Sequence, residues 1–281
     1  MQDIIFVHGM FQNPKSWQKW MSFFTDKGYN CIAPAWPYHD GEPAALRANP
    51  PEALGKLRLS HVVSYIEETI GEFEDMIGQY DDPIVIGHSV GGLIAQLLVN
   101  RDLVSAGVAI SSVAPNRMME ADWSFFKNVA TIANPLKGDD LALMDAKTFH
   151  EAFANTLSES EAAQAFEDFA THDSRNVLRD CLTDEGHVDL DKAHAPLLLI
   201  GGEKDQIIPS SLCEKNAIAY TDTSSVTDFR EFSGRSHYIC GERGWEEVAA
   251  FVADWLEHNK VKFAPAFHPV FKGDKGAPPI M

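Results

Sequence analysis

The sequence lacks several features that would assign it to a specialised class of protein. Its 281 residues contain no apolar run of the roughly 18–20 residues needed to span a bilayer. Its first residues carry no basic leader of the kind found in secretory signals. Its four cysteines are far apart and form no C-x-x-C pair. We therefore expect a cytoplasmic protein with no metal site and no disulfide framework.

Positive charge is also scarce. Lysine and arginine number 23 against 41 aspartate and glutamate residues, which gives a formal net charge of −18 at pH 7. Such a protein repels nucleic acids and anionic membrane surfaces at long range. We therefore expect a small-molecule substrate, with neither nucleic acid nor membrane as a partner. The sequence leaves the oligomeric state open, with a homodimer as one option.

What the sequence does contain is an alternation of short apolar segments and amphipathic segments. This alternation predicts an α/β protein, with a mostly parallel sheet flanked by helices. The predicted strands are Ile4–Val7, Tyr29–Pro34, Pro83–Ile86, Val104–Ile110, Leu197–Ile200 and Val226–Phe232. The predicted helices are Ser16–Lys27 with Ser16 as N-cap, Leu59–Phe73, Gly91–Asn100, Ser211–Tyr220 and Trp245–His258. The Pro- and Gly-rich stretch Pro37–Pro51 is predicted to be a loop.

The alternation is interrupted between residues 116 and 194. This stretch has a helical pattern, contains no convincing strand and lies between two predicted strands. We therefore expect an inserted helical cap over residues 116–194, on a core formed by residues 1–115 and 195–260. Residues 261–281 form a C-terminal extension.

One five-residue motif carries the strongest chemical signal. Gly87-His88-Ser89-Val90-Gly91 matches the pattern G-x-S-x-G, with an apolar strand before it and an apolar helix after it. The glycines permit a turn so sharp that it exposes the serine hydroxyl above the sheet. The amide that follows lies at a helix N-terminus, where developing negative charge is favoured. We predict that Ser89 is a nucleophile.

A serine nucleophile needs a base that is oriented by an acid. Asp205 follows the strand Leu197–Ile200 through a glycine-rich exit, and His237 follows the last strand. Their order along the chain is the one expected when such a serine comes first. We predict His237 as the base and Asp205 as the acid, with Glu203 as the rival acid.

The first strand ends in His8-Gly9-Met10-Phe11. The glycine permits a turn that aims an amide at a developing oxyanion. We predict an oxyanion hole built from the amides of Met10 and Val90, and a structural role for His8. The aromatic side chains predicted to line the substrate pocket are Phe11, Trp36, Trp123 and Phe126.

In these motifs the chain resembles the α/β-hydrolase superfamily. The resemblance rests on H-G-M-F at 8–11, G-H-S-V-G-G at 87–92, G-G-E-K-D at 201–205 and G-R-S-H at 234–237. It implies acyl-enzyme chemistry with no metal or organic cofactor. Only three residues precede the first strand, so the layout resembles the methylesterase and hydroxynitrile lyase group, with about six strands. Haloalkane dehalogenases and epoxide hydrolases carry aspartate where this chain has Ser89, which argues against those activities.

We therefore expect a serine hydrolase that cleaves small to medium uncharged carboxylic esters, lactones or thioesters through an acyl-Ser89 intermediate. C–C bond hydrolase, perhydrolase and hydroxynitrile lyase activities on the same scaffold remain alternatives. A non-catalytic ligand receptor is a further alternative, although the chain keeps all three candidate triad residues. Plant hydroxynitrile lyases carry a lysine beside the catalytic histidine, whereas His237 lies between Ser236 and Tyr238.

Overall fold

The computed structural model describes residues 2–77, 82–118 and 132–259. Its main sheet consists of the strands β1 (Asp3–Val7), β2 (Asn30–Ile32), β3 (Ile84–His88), β4 (Ala106–Ile110), β7 (Leu197–Gly202) and β8 (Thr227–Phe232). These six strands are parallel and lie in the order β2-β1-β3-β4-β7-β8, which confirms the predicted fold class. A separate antiparallel pair consists of β5 (Leu141–Ala142) and β6 (Asp173–Ser174).

Helices connect the strands and flank the sheet. They are α1 (Gln18–Asp26), α2 (Pro43–Ala48), α3 (Leu59–Ile77), α4 (Val90–Asn100), α5 (Glu159–Phe169), α6 (Arg175–Cys181), α7 (Ser210–Ala219) and α8 (Trp245–Asn259). Shorter helical turns lie at Pro14–Trp17, Glu52–Lys56, Pro135–Lys137, Ala146–Thr148 and Asp184–Gly186, with a π-helical turn at Phe149–Phe153. Among the helices of the described ranges, none is long and apolar enough to cross a membrane.

Two details of the predicted helices are wrong. Ser16 is not an N-cap, because Asn13 caps the turn Pro14–Trp17 by accepting a hydrogen bond from the amide of Lys15. The predicted loop Pro37–Pro51 contains helix α2, which begins with Pro43 in its first turn. Proline is suited to that position because its fixed φ matches the helix. It lacks an N–H, but an N–H in the first turn has no acceptor within the helix, so no hydrogen bond is lost.

The core lies on both faces of the sheet. Successive residues of β1 point to opposite faces, so Ile5 and Val7 pack with helices α3 and α4 while Ile4 and Phe6 pack with α1 and α8. All five residues of β1 are buried. A strand covered on both faces forms a continuous apolar run, which is why the four central strands β1, β3, β4 and β7 are recognisable from sequence.

The register of the sheet brings the candidate site together. Val7 of β1 pairs with Gly87 of β3, so the loop after β1 lies beside the turn that carries Ser89. Gly202 of β7 pairs with Phe232 of β8, so the loops that carry Asp205 and His237 leave the sheet side by side. All four loops follow the carboxyl ends of parallel strands, where α/β sheets bind ligands.

The insertion at 116–194 contains helices α5 and α6, but it also contains strands. Leu141 pairs with Ser174 and Ala142 with Asp173, so the expectation of a stretch without strands is wrong. Two paired residues are too short to produce an alternating sequence pattern. Residues 119–131, which include Trp123 and Phe126, and the extension 261–281 lie outside the described residues.

Candidate functional site

Ser89 occupies the turn between β3 and α4 in a strained backbone conformation. Its φ is +56° and its ψ is −118°, a pair that non-glycine residues rarely adopt. Neighbouring glycines make the turn possible. A Cβ atom at Gly87 would lie 1.9 Å from the carbonyl oxygen of Gly91, and one at Gly91 would lie 2.2 Å from that of Val7. The local sequence therefore fixes this turn, and strain of this kind is typical of functional sites.

His237 and Asp205 form a buried pair. Nδ1 of His237 lies 2.7 Å from Oδ2 of Asp205, and both side chains are almost fully buried. Oδ1 of Asp205 accepts hydrogen bonds from the amides of Ile207 and Ile208, each at 2.8 Å. These bonds hold the carboxylate in one orientation, so that it orients the imidazole in turn.

The rival acid, Glu203, lies in a different environment. Its carboxylate accepts hydrogen bonds from the hydroxyl of Ser233 and the amide of Gly234, and it pairs with Lys204. The bond from Ser233 is the largest of the causes that lower the pKa of Glu203 to about 2. Glu203 is thus committed to the turn after β8, whereas Asp205 contacts His237.

Ser89 and His237 line one cavity of about 400 Å³. Within the described ranges, no hydrogen bond joins the Ser89 hydroxyl to another side chain. Serine–histidine contacts of this type are commonly long and tighten when substrate binds. The structure therefore places the two groups at the same cavity, without a hydrogen bond between them.

His88, next to the nucleophile, contacts the predicted base His237. Its Nε2 lies 2.8 Å from the backbone carbonyl oxygen of His237, and its Nδ1 lies 3.2 Å from Oε1 of Gln12. Its ring centroid lies 4.7 Å from that of His237. Burial lowers the pKa of His88 well below its usual value. No local sequence signal indicates a contact that spans 149 positions.

Met10 and Val90 both line the cavity beside Ser89. In the turns, loops and helix caps of the described residues, neither amide donates to a backbone carbonyl. Val90 is the first residue of α4, where amides have no partner inside the helix. Two unbonded main-chain donors at one cavity form an arrangement that can bind a developing oxyanion.

His8 has the structural position predicted for it, but Trp36 is not a pocket residue. His8 is fully buried, with its Nδ1 2.9 Å from the carbonyl of Gly9 and its Nε2 3.2 Å from the amide of Trp36. Burial, with the nearby charge of His39, lowers the pKa of His8 well below its usual value. The Trp36 ring stacks on His8 at 4.5 Å between centroids. This stacking buries Trp36 in the core, so the prediction that it lines the pocket is wrong.

The cavity wall is mainly apolar. Phe11 lines it, and so does Phe153 of the insertion, whose ring lies 5.0 Å from that of His237. Two charged residues also line it. Arg175 donates to the carbonyls of Ile132 and Leu141, and Asp145 accepts from the amide and hydroxyl of Thr148. Both charged side chains therefore form hydrogen bonds with neighbouring residues at the cavity wall. The other lining residues are Val113, Ile132, Ala142, Leu143, Met144, Thr148, Ala152, Leu178, Ile207 and Ile208.

In the described ranges, no group of three or more His, Cys, Asp or Glu side chains has positions suited to hold a metal ion.

Solved structures with a similar fold include several hydrolases. A monoacylglycerol lipase from Paleococcus ferrophilus aligns with a TM-score of 0.64 at 19% identity, covering 90% of this chain and 93% of that chain. A methylesterase from Arabidopsis aligns with a TM-score of 0.66 at 11% identity, covering 92% of this chain and 100% of that chain. An extracellular alpha/beta-hydrolase from a Paenibacillus species aligns with a TM-score of 0.65 at 14% identity, covering 90% and 98%. At these identities the likeness concerns the fold.

Comparison at the level of sequence gives two results. No curated protein matches the chain. The sequence model of the alpha/beta hydrolase family matches residues 4–251, which include β1, the turn at Ser89 and the loop that carries His237. The match confirms the resemblance indicated by the four motifs: the chain belongs to the α/β-hydrolase family.

Proposed function

We propose that this protein is a serine hydrolase that cleaves carboxylic esters through an acyl-enzyme intermediate on Ser89. One observation carries the proposal. Ser89 lies on a strained turn at a cavity that His237 also lines, and His237 is bonded to the buried Asp205. A serine, a histidine and an oriented carboxylate are the components that nucleophilic acyl transfer requires.

In the first half of the reaction, Oγ of Ser89 attacks the ester carbonyl carbon and transfers its proton to Nε2 of His237. The carbonyl oxygen becomes an oxyanion, which the amides of Met10 and Val90 stabilise. The C–O bond to the alcohol then breaks, and the leaving oxygen takes the proton from His237. Asp205 stabilises the imidazolium that forms between these steps.

The second half releases the acid. His237 removes a proton from water, whose oxygen attacks the acyl carbon of the ester on Ser89. The oxyanion forms again, the bond to Oγ breaks, and His237 returns the proton to Oγ. Atoms and charges balance without an oxidant, a reductant or a cofactor.

The cavity favours small to medium uncharged esters. Its volume of about 400 Å³ lies near the lower end of common ligand sites, and its wall is mainly apolar. The two charged residues of the wall, Arg175 and Asp145, form hydrogen bonds with neighbouring residues of the wall. The protein's net charge of −18 repels anionic substrates. The insertion at 116–194 acts as a cap, because its residue Phe153 lies against His237 at this cavity.

A series of p-nitrophenyl esters of increasing acyl length tests the proposal. We expect the highest kcat/KM for acyl chains of about two to six carbons, with a loss at twelve and beyond, since the cavity accepts only small or medium ligands. Ser89→Ala is expected to abolish turnover and Cys31→Ala, a substitution outside the site, to retain it. Absence of ester hydrolysis, or activity that rises sharply when a long-chain substrate forms an emulsion, would contradict the proposal.

A further inference from the structure

The loop after β1 carries a second strained residue. Phe11 has a φ of +62°, a left-handed value that aromatic side chains rarely adopt. It follows Met10, whose amide is an oxyanion donor in the proposed function. A strained backbone persists only where its surroundings over-determine it. The groups that hold the backbone of Phe11 therefore also influence the position of the neighbouring Met10 amide.

Both main-chain polar groups of Phe11 bond to one short segment of the insertion. Its amide donates to Oδ2 of Asp173 at 3.0 Å, and its carbonyl accepts from the amide of Thr171 at 2.9 Å. The hydroxyl of Thr171 also donates to the carbonyl of Gln12 at 3.3 Å. Residues 171–173 thus fix the backbone immediately after Met10.

Asp173 is itself held in a fully buried position. Its Oδ1 accepts from the amide of Ser174 at 2.7 Å, and its Oδ2 lies 3.3 Å from Nε2 of His39. The other ring nitrogen of His39 lies 3.1 Å from the carbonyl oxygen of Pro37, so both nitrogens face acceptors. Only the imidazolium form donates from both nitrogens. The nearest other titratable ring, His8, lies 5.4 Å from His39 between centroids and is neutral.

A buried carboxylate is costly unless a cation and hydrogen bonds compensate it. Here His39 supplies the cation, and two backbone amides supply hydrogen bonds. The carboxylate is therefore held in a defined orientation. One of the two amides that orient it is that of Phe11, which lies in the loop after β1 (residues 8–13, here called the oxyanion loop).

We propose that Asp173, with His39 as its counter-ion, is the positioning residue of the oxyanion hole. It fixes the backbone at Phe11, so that the amide of Met10 stays at the cavity beside Ser89. The inference rests on the proposed function. It means that the geometry of the oxyanion hole depends on a residue of the insertion at 116–194 as well as on residues of the core. Asp173 does not itself line the cavity, and its side chain reaches the loop through the amide of Phe11, so its effect on the Met10 amide is transmitted through the backbone.

Three variants test this role. Asp173→Ala removes the acceptor for the Phe11 amide and is expected to lower kcat by about 10- to 100-fold, the range expected when a donor is displaced rather than deleted. KM should change by less than about three-fold, because the hole binds the transition state and not the ground state. Asp173→Asn keeps an acceptor oxygen but loses the charge, and His39→Gln removes the cation. Both are expected to give intermediate losses.

A second measurement separates positioning from general damage. A trifluoromethyl ketone forms a tetrahedral adduct with the serine, so its affinity reports the oxyanion hole. Its inhibition constant should rise by the same factor by which kcat/KM falls. The control is Asp180→Ala, at another buried aspartate of the insertion, which accepts from Arg58 and from the amide of Leu59 away from the oxyanion loop. It should lower the melting temperature and leave kcat unchanged.

Three results would each overturn the inference. The first is a folded Asp173→Ala variant with wild-type kcat, and the second is a loss of kcat without a matching loss of inhibitor affinity. The third is an equal loss of kcat in Asp180→Ala. If Asp173→Ala does not fold, the same criteria apply to Asp173→Asn and His39→Gln. A wild-type protein that hydrolyses esters through Ser89 while all three variants remain fully active refutes this inference alone. A wild-type protein that hydrolyses no ester refutes the proposed function, and this inference with it.

Discussion

The strained turn at Ser89 predicts an unusual effect on stability. Ser89→Ala and Ser89→Gly both remove the hydroxyl, but only glycine adopts a φ of +56° and a ψ of −118° without steric cost. Strain at sparsely populated φ/ψ pairs costs about 1–3 kcal/mol, and Ser89 lies outside even the left-handed α region, so relief of its strain is worth the upper part of that range, about 2–3 kcal/mol. Against this, glycine adds about 0.4–1 kcal/mol of unfolded-state entropy, and loss of the buried methyl costs about 0.8 kcal/mol. Ser89→Gly should therefore be more stable than Ser89→Ala by about 1 kcal/mol.

Urea unfolding followed by circular dichroism measures this difference, and a thermal melt should show a shift of roughly 2 °C. Ser64 is the matched control, since it lies exposed inside helix α3. There the order should reverse, with glycine less stable than alanine by about 1 kcal/mol. If Ser89→Gly is no more stable than Ser89→Ala while Ser64 behaves as expected, the turn is not strained and the reasoning is wrong.

Other predictions concern the chemistry. Asp205→Asn should lower kcat by orders of magnitude and Glu203→Gln should not; the reverse result in steady-state assays would exchange their roles. A folded Met10→Pro variant lacks one oxyanion donor and should lose roughly 10²- to 10³-fold in kcat; full activity would place the hole elsewhere. Phe153→Ala should extend the p-nitrophenyl ester range toward longer acyl chains, and an unchanged range would exclude Phe153 from specificity. Burial lowers the pKa of His39, but the adjacent carboxylate outweighs burial and raises it. The stability that its protonated form contributes is therefore complete below about pH 6.5 and lost as pH rises through the raised pKa. The difference in unfolding free energy between wild type and His39→Gln should shrink accordingly, and a constant difference from pH 6 to 9 would contradict this.

The parts of the site that sequence could predict are those with local causes. The turn at Ser89 depends on glycines within three positions of it, and the base and acid follow recognisable strands in a fixed order. The contact between His237 and Asp205 therefore lies where the motifs indicate. Helix α2 also has a local cause, the proline in its first turn, which was interpreted as a loop signal instead.

The remaining parts depend on contacts between distant segments. The bond from Phe11 to Asp173 spans 162 positions, and that from His88 to the His237 carbonyl spans 149. No sequence motif relates residues at such separations, so neither contact could be predicted from the sequence. Trp36 shows the same limit, because an aromatic residue after a strand fits a pocket wall as well as it fits the stack on His8 that it forms.

The central claim is that Ser89 is an activated nucleophile, and labelling by a fluorophosphonate tests it most directly. The probe phosphonylates only a serine whose proton is removed by an adjacent base. After digestion and mass spectrometry, the account predicts one modified peptide, which carries the adduct on Ser89. The adduct should be absent in Ser89→Ala and should form far more slowly in His237→Ala. An unlabelled Ser89 in protein that hydrolyses esters, or an adduct on a different serine, would contradict the account.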